Sequence, residues 1–465
     1  FKDGCQPQCT GTGSLRGVLE KLEYLAKDVG VTVIWLSPIY DSPMKDFGYD
    51  ISNYTKIWPT FGTMADFDAL MAKAKSLGVR ILMDFVPNHS SDQHPWFLES
   101  KSSLDSEKRD WYMWRNGTVD EEGNLAPPTN WRSMFCNNAA CSAWEYDNTT
   151  GQYYYHQFLS EQPDLNWRNP KVVEAMHDMM RFWLAKGVDG FRVDAFAYML
   201  EDSSFGDEPL NPDWKPEPDA VAAGYSKVLH TKTENIDGLH GLLQGMQKVL
   251  KEFGDDRMMV GEVYQDNIIS EEDVLSYYGT KEQPEFNMPF NMLLIGNLGA
   301  ADVKMDIPKL RKDIDHYDKS LKPWAQPNWV IGNHDVHRVR SRNGGNEFIS
   351  RSMHVLLLTL RGTPTIYNGD EFGMLDGKVP ASKAQDPTCI KSAKAWNCRD
   401  PERTPLQWNT DNENAGFTDA GVVPWLPVSS DYVNTNADSQ IGAPKSMLSM
   451  VKTLLRLRQG SDALR

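Results

Sequence analysis

The chain has 465 residues, 40% of them hydrophobic, so it can bury a large core and is too long for one compact domain without insertions. Its net charge of −16 argues against nucleic acid or an anionic membrane surface as a partner, because the field of the whole protein would repel phosphate groups. No apolar run reaches the roughly 18 residues needed to span a bilayer.

The first part of the chain alternates between helix and strand patterns. An amphipathic pattern predicts a helix over Leu15–Val29, and a short apolar run predicts a strand over Val31–Leu36. A second helix over Met64–Leu77, ended by Gly78, precedes a second strand over Val79–Phe85. Apolar strands that alternate with helices are typical of a parallel sheet covered by helices.

Residues 90–165 interrupt this alternation, because they are rich in Asn, Trp, Tyr and Gly. The alternation then resumes with predicted helices and strands in the following order: helix Lys171–Lys186, strand Gly190–Asp194, helix Leu239–Phe253, strand Met258–Glu262, strand Asn328–Gly332 and strand Gly362–Tyr367. Residues 372–445 lack clear periodicity, and a last helix is predicted from about Lys445 to Leu457.

Three predicted strands end in or near an acidic residue: Asp194, Glu262 and Asp335. A barrel builds its active site at the carboxyl ends of all its strands, whereas an open sheet concentrates its chemistry at one switch point. We therefore predict an α/β fold, a (β/α)8 TIM barrel. Residues 1–89 and 166–371 form the barrel, 90–165 an inserted small domain after the third strand, 372–445 a loop-rich excursion and 446–465 the last barrel helix.

Three carboxyl groups at strand ends suit the chemistry of a glycosidic bond. One carboxylate attacks the sugar, an acid protonates the leaving oxygen, and a third group holds the ring. Nucleotide binding is disfavoured, because no Gly-rich phosphate loop follows any predicted strand.

The six cysteines fall into three close pairs: Cys5 with Cys9, Cys136 with Cys141, and Cys389 with Cys398. This pattern predicts three local disulfides and an oxidising compartment. A zinc site is the weaker alternative, since no pair has the Cys-x-x-Cys spacing. Three glycosylation sequons fit a secreted protein: Asn53, Asn116 and Asn148. A fourth sequon, at Asn88, is expected to be buried and unmodified.

The sequence resembles glycoside hydrolase family 13, the α-amylase family, and within it the animal α-glucosidase (maltase) branch. The resemblance covers essentially the whole chain. Four segments are similar to the family's signatures and occur in the family's order: Asp84–His89, Gly190–Ala195, Gly261–Glu262 and Asn333–Asp335. Gln162–Asn166 resembles the signature of the oligo-1,6-glucosidase and α-glucosidase group. Each segment alone is a weak signal, but five in the same order are specific.

The resemblance implies roles for the three acidic residues. Asp194 would be the nucleophile that forms a covalent glucosyl-enzyme, and Glu262 would be the general acid and base. Asp335 would hydrogen-bond the 2- and 3-hydroxyls of the sugar. Retention of configuration would follow if the carboxyl groups of Asp194 and Glu262 lie about 5–5.5 Å apart.

The resemblance also implies substrate-binding residues. Arg192 would keep Asp194 ionised and oriented, and His89 and His334 would donate hydrogen bonds to the bound glucose. In the segment that contains Tyr49 and Asp50, both residues would bind substrate, with Asp50 gripping the terminal glucose. Its arginine partner would come from the region after the eighth strand, where Arg399 and Arg403 are both candidates.

This chain departs from the family pattern at its first loop. Many relatives carry a calcium loop near the first strand, but here Asp3 is the sole acidic residue in Phe1–Gly13. We therefore expect no cofactor and no metal, with a Cys5–Cys9 disulfide in place of the ion. The family's first barrel strand would lie before Phe1 and its C-terminal β-sandwich after Arg465, so neither is expected in these residues.

The function predicted from the resemblance is a retaining, exo-acting α-glucosidase that hydrolyses maltose, sucrose or short oligosaccharides. The small residue Ala195 after the nucleophile favours α-1,4 over α-1,6 bonds. The expected location is secreted or at the extracellular face of the plasma membrane, with a membrane anchor or homo-oligomer as further alternatives. Two other functions stay open: the ectodomain of an amino-acid transporter heavy subunit, and a transglucosidase or sucrose hydrolase.

Overall fold

The computed structural model describes residues 1–5, 8–135, 141–215, 224–266, 268–297, 306–391 and 398–464. The strands within these ranges are short, and they are β1 (Val33–Leu36), β2 (Tyr40–Asp41), β3 (Asn53–Ile57), β4 (Arg80–Phe85), β5 (Trp114–Arg115), β6 (Thr118–Val119), β7 (Leu125–Ala126), β8 (Trp144–Asp147), β9 (Gln152–Tyr155), β10 (Gly190–Val193), β11 (Met258–Gly261), β12 (Met288–Asn291), β13 (Asn328–Val330) and β14 (Thr363–Thr365).

The helices within the same ranges are α1 (Leu15–Glu23), α2 (Met64–Ser76), α3 (Pro95–Ser100), α4 (Pro170–Ala185), α5 (Leu239–Lys251), α6 (Glu271–Ser276), α7 (Leu293–Asn297), α8 (Ile307–Ser320), α9 (Val339–Arg342), α10 (Glu347–Thr359), α11 (Pro387–Lys391), α12 (Ala437–Gln440) and α13 (Met447–Gln459). A π-helical segment, Tyr24–Val29, continues α1 to the predicted end of that helix. No helix in the described ranges has both the length and the apolar character needed to cross a bilayer.

Seven parallel strands form one curled sheet in the order β1-β4-β10-β11-β12-β13-β14. Neighbouring strands follow one another in the chain and all pair in parallel, which is the connectivity of a barrel rather than of an open doubly wound sheet. The predicted barrel architecture is thus confirmed, with seven strands in the described residues. A cavity of about 890 Å³ reaches from the pocket above the sheet to the space between β1 and β14.

Apolar side chains from several strands line the interior of the curled sheet. Leu82, Val260, Phe290 and Val330 are buried and form one apolar cluster, with Trp35 packed against it. These residues come from β4, β11, β12 and β13, and all four line the cavity of about 890 Å³. The pocket described below lies at the carboxyl ends of the same strands.

Gly190 brings β10 close to its neighbour. Its φ of 148° lies in a region that residues with a Cβ rarely adopt, and a Cβ there would clash with the Met258 carbonyl oxygen. Glycine is therefore required where β10 pairs with β11. Asp194 and Glu262 directly follow these two strands, so the pairing places the two carboxyl groups side by side at the same end of the sheet.

The segment between β4 and α4 builds two small antiparallel sheets away from the barrel. One has the order β5-β9-β8, and the other pairs β6 with β7. Trp131, Trp144 and Tyr155 are buried in a core of their own. The boundaries 90–165 for an inserted domain, like the other predicted boundaries, remain a proposal.

Candidate active site

Acidic side chains at the carboxyl ends of the parallel strands converge on one pocket. Asp84 lies in β4, Asp194 follows β10, and Glu262 follows β11. Asp335 lies in the loop after β13. Because parallel strands of a barrel end at the same face, four segments distant in sequence meet there.

The guanidinium group of Arg192 joins three of these carboxyl groups. Its Nη1 lies 2.8 Å from Asp84 Oδ1 and 2.5 Å from Asp194 Oδ1. Its Nη2 lies 2.6 Å from Glu262 Oε2. Arg192 is 1% exposed, so this is a buried ion cluster rather than a surface ion pair.

Arg192 opposes the effect of burial on the acids that it contacts. Burial raises the pKa of Asp84 to about 6, and the charge of Arg192 works against that rise. Burial also raises the pKa of Asp194, and Arg192 again opposes the shift. The arginine therefore favours the ionised form of Asp194, which is the form that a nucleophile needs.

The chain turns sharply directly after Asp194. Ala195 has a left-handed backbone with φ of 45°, which costs a residue with a Cβ about 1–2 kcal/mol. Its N–H donates to Glu262 Oε2 at 3.3 Å. Strain of this kind is found where the surrounding structure holds a functional group in place. Here it links the backbone after Asp194 to the second carboxyl group.

Asp335 is held by two arginines from the segment after β14. Arg403 Nη2 donates to Asp335 Oδ1 at 2.6 Å, and Arg399 Nη1 donates to the same oxygen at 3.1 Å. Burial disfavours the ionised form, but the charges of Arg403 and Arg399 lower the pKa of Asp335 well below its ordinary range. Asp335 is therefore a fixed negative charge in the pocket.

Tyr49 and His334 form one wall of the pocket. The Tyr49 hydroxyl donates to Asp84 Oδ2 at 3.1 Å and lies 3.0 Å from His334 Nε2. The two rings are stacked, with centroids 5.7 Å apart. Burial lowers the pKa of His334 to about 3, so its imidazole is neutral near pH 7. The structure thus places both predicted binding residues at the pocket.

His89 lies deeper and is held by side-chain amides. Its Nε2 lies 3.0 Å from Gln162 Nε2, and its Nδ1 lies 3.2 Å from Asn88 Nδ2. Burial lowers the pKa of His89 to about 3. Gln162 Nε2 also donates to Asp46 Oδ2 at 3.2 Å. Gln162 therefore connects His89 to a loop residue that the sequence did not single out.

The predicted role of Asp50 is wrong. Asp50 is fully buried, and its carboxylate accepts hydrogen bonds from the Ser42 hydroxyl and from the backbone N–H groups of Lys45 and Asp46. These donors use both carboxylate oxygens. Asp50 is a residue that shapes the loop, because a buried carboxylate with three such partners is not free to grip a sugar.

Asp46 has the position that was predicted for Asp50. Arg399 Nη2 donates to Asp46 Oδ1 at 2.9 Å, and Arg399 also bonds Asp335 and Asp386. Of the two candidate arginines, Arg399 is thus the partner of this loop, while Arg403 bonds Asp335. The Asp46–Arg399 pair connects two sides of the pocket, and Asp386 holds the guanidinium group by accepting two hydrogen bonds from it.

Substitutions at Asp46 and Asp50 are expected to act on different quantities. Asp46→Asn weakens the pair with Arg399, so we expect KM for the substrate to rise by roughly 10–100-fold. The melting temperature should change little, because Arg399 keeps its ion pairs with Asp335 and Asp386. Asp50→Asn removes acceptors for buried N–H groups, so it should cost about 1–3 kcal/mol of unfolding free energy. Steady-state kinetics and thermal unfolding of both variants measure this. A larger KM increase in Asp50→Asn at unchanged stability would restore Asp50 as the gripping residue.

Two of the predicted disulfides are present, Cys5–Cys9 and Cys389–Cys398. Cys141 is disulfide-bonded as well, and its predicted partner Cys136 lies outside the described residues. Of the sequons, Asn116 and Asn148 are exposed and Asn53 is half-buried. Asn88 is 1% exposed, in agreement with the expectation that it is buried. Glycosylation remains a prediction.

The described residues of the first loop, 1–5 and 8–13, offer one carboxylate, and it is engaged in hydrogen bonds. Asp3 Oδ2 accepts hydrogen bonds from the N–H groups of Thr10 and Gly11 and from the Thr418 hydroxyl. Calcium needs about six to eight oxygen ligands, whereas this carboxylate oxygen already accepts three hydrogen bonds. The Cys5–Cys9 disulfide closes the same loop.

Among the described residues, two side chains near Asp164 each leave one buried oxygen without a hydrogen-bond donor. Asn88 Oδ1 and Glu201 Oε1 are buried and accept no hydrogen bond. Burial raises the pKa of Asp164 and of Glu201 well above the ordinary range, and Asp164 contributes to the shift of Glu201. Protons on these acids would also relieve the buried charge. The prediction that the protein needs no cofactor therefore stays a prediction.

Comparisons with known proteins agree with this geometry. A family model described as "Alpha amylase, catalytic domain" matches residues 1–465. Maltase A1 of Drosophila melanogaster is 40% identical over 470 residues, which cover 97% of this chain and 77% of that protein. Salivary alpha-glucosidase of Anopheles gambiae is 37% identical over 460 residues, which cover 96% of this chain and 73% of that protein. The solved structure of an alpha-glucosyl transfer enzyme has a TM-score of 0.87 at 34% identity, covering 97% of this chain and 81% of that one.

Proposed function

The chain belongs to the α-amylase family and is an exo-acting α-glucosidase, and we propose that it works with retention through a covalent glucosyl intermediate on Asp194. One observation carries this proposal: a single buried guanidinium group contacts both Asp194 and Glu262. Both carboxyl groups must lie close together for that contact. Retaining glycosidases need a separation of about 5–5.5 Å, whereas inverting ones need room for a water molecule.

In the proposed mechanism Asp194 attacks the anomeric carbon of the terminal glucose, and Glu262 gives its proton to the departing glycosidic oxygen. Glu262 then takes a proton from water, and that water breaks the bond to Asp194 and releases glucose with its original configuration. Asp335 holds the ring hydroxyls as a fixed anion. Arg192 favours the ionised form of Asp194 before the attack.

The pair between Asp46 and Arg399 supports exo action. Both side chains are largely buried, and Arg399 bonds Asp335 as well as Asp46. A pocket closed at this point accepts the non-reducing end of a chain and excludes a continuing one. Tyr49, His89, His334 and Arg403 complete the proposed glucose site.

The substrate class is proposed as α-1,4-linked maltose, sucrose or short oligosaccharides. Ala195 lies next to the nucleophile with its N–H on Glu262, and its small side chain leaves room on the leaving-group side. Secretion is proposed from the disulfides, the exposed sequons and the salivary relative. Membrane anchoring and homo-oligomer formation remain alternatives, as does transfer of glucose to a sugar acceptor.

Proton NMR of the protein with maltose tests the proposal, because the two anomers of released glucose give separate signals. The glucose cleaved from the non-reducing end should appear as the α anomer, in excess of the α/β mixture that the reducing-end glucose contributes from the start. An early excess of β-glucose over that mixture would contradict retention. New glucosyl linkages at high maltose would favour a transglucosidase, and absence of turnover of maltose, sucrose and isomaltose by folded protein would favour the transporter-subunit alternative.

A further inference from the structure

Three potential metal ligands from three separate loops meet beside the active site. His337 Nδ1 lies 2.9 Å from Asp376 Oδ2 and 3.3 Å from Glu402 Oε2. All three atoms lie within 4.8 Å of one another. His337 follows β13, whereas Asp376 and Glu402 belong to the long segment after β14. None of these residues has a role in the mechanism proposed above.

Two of the three ligand atoms lack a hydrogen bond. Glu402 is 1% exposed, and its Oε2 accepts no hydrogen bond in the described structure. His337 Nδ1 is also a buried atom without a hydrogen bond, although it lies within ion-pair distance of both carboxylates. A buried carboxylate oxygen without a donor is costly, so something positive between these groups would stabilise them.

The backbone around the cluster is fixed before any ion binds. Arg338 N–H donates to Asp376 Oδ1 at 2.8 Å, and Arg338 Nη2 donates to the Glu402 carbonyl oxygen at 2.9 Å. Arg342 Nε donates to the His337 carbonyl oxygen at 2.9 Å. Ligands held in this way need little rearrangement to bind an ion, and such support raises metal affinity.

We propose that His337, Asp376 and Glu402 form a binding site for a divalent transition metal of the zinc class. Zinc accepts one imidazole nitrogen and two carboxylate oxygens at about 2.0–2.2 Å, usually in tetrahedral geometry. Two ligands at that distance lie about 3.4 Å apart. The distance from His337 to Glu402 is 3.3 Å, and the distance of 2.9 Å from His337 to Asp376 would have to lengthen to admit the ion. The His337 side chain is 43% exposed, which leaves a path for the ion and for a water ligand.

A proton is the competitor for this position. Zinc binds the neutral imidazole, so an ion at this position excludes a proton on His337 Nδ1, and binding should tighten as the pH rises. The bound ion would connect the loop that carries Asp335 to the loop that carries Arg403, since His337 and Glu402 are their near neighbours in sequence.

Zinc binding by tag-free, EDTA-treated and desalted protein tests the proposal. Calorimetry and elemental analysis should show one equivalent of Zn²⁺ in the wild type. His337→Ala and Asp376→Asn should each weaken binding by at least about 100-fold, because a lost ligand costs more than a lost supporting contact. Asp376→Asn keeps an acceptor for the Arg338 N–H, so it guards against a folding defect.

His240→Ala is the matched control. His240 Nδ1 lies 2.7 Å from Glu285 Oε2, but among the described residues this pair lacks a second carboxylate with metal-ligand spacing. Its removal should leave the zinc equivalent unchanged. Absence of a bound equivalent in the wild type, or equal binding by His337→Ala, would overturn the proposal and assign the position to a proton. Binding is measured without substrate, so this result is independent of the glucosidase mechanism.

Discussion

Asp194→Asn is expected to lower kcat for maltose by at least about 10⁴-fold, because the amide cannot form the glucosyl ester. The substitution keeps the size of the side chain and an oxygen that can accept from Arg192 Nη1. It also removes one of three carboxyl groups around a single cation. We therefore expect the melting temperature to stay the same or rise, which separates lost chemistry from lost folding.

Two further variants sharpen this test. Asp202→Asn alters a carboxylate that follows β10 and bonds Ser204, outside the pocket, and should retain full activity. Asp194→Ala opens space where a small anion fits, so added azide should restore turnover and give β-glucosyl azide. Activity of Asp194→Asn within tenfold of wild type, or an α-glucosyl azide product, would remove Asp194 from the nucleophile's role.

Most of the sheet could be predicted because its strands are apolar runs bounded by helices. β4, β10 and β11 fall within their predicted ranges, since strands buried on both faces have few polar residues. β12 was missed. Its sequence, Met288–Asn291, contains Pro289 and is flanked by Asn287, which are poor strand signals. It becomes a strand because β11 and β13 pair with it on both sides.

The active-site acids could be located because the carboxyl ends of all barrel strands lie at one face, independently of loop conformation. The loop residues could not be located in this way. Asp46 and Asp50 flank the same Phe-Gly-Tyr segment, and pattern alone does not tell which of the two faces the pocket. The difference arises from the backbone, since Phe47 and Gly48 both have positive φ, at 52° and 100°. Those two residues turn Asp46 toward Arg399 and leave Asp50 inside the loop.

Glu262→Gln is expected to lower kcat/KM for maltose by about 10²–10⁴-fold, the usual contribution of a general acid. The glutamine fits the same space, and its side-chain oxygen can accept from Arg192 Nη2 and from the Ala195 N–H as Glu262 does. The substitution therefore removes the proton donor and leaves the pocket's shape. Kinetics on maltose and on α-glucosyl fluoride, measured in parallel, report this directly.

The two substrates separate the acid from the nucleophile. Fluoride leaves without a proton, so the first chemical step with α-glucosyl fluoride should be nearly unaffected in Glu262→Gln. The same substrate should fail with Asp194→Asn, because bond formation to the sugar is lost whatever the leaving group. If Glu262→Gln lost the same fraction of its activity on maltose and on the fluoride, Glu262 would not be the proton donor. Its role would then be to balance the charge of Arg192. In that case the proton would have to come from another acid that Arg192 contacts, and Asp84, whose pKa is raised to about 6, would be the first to test.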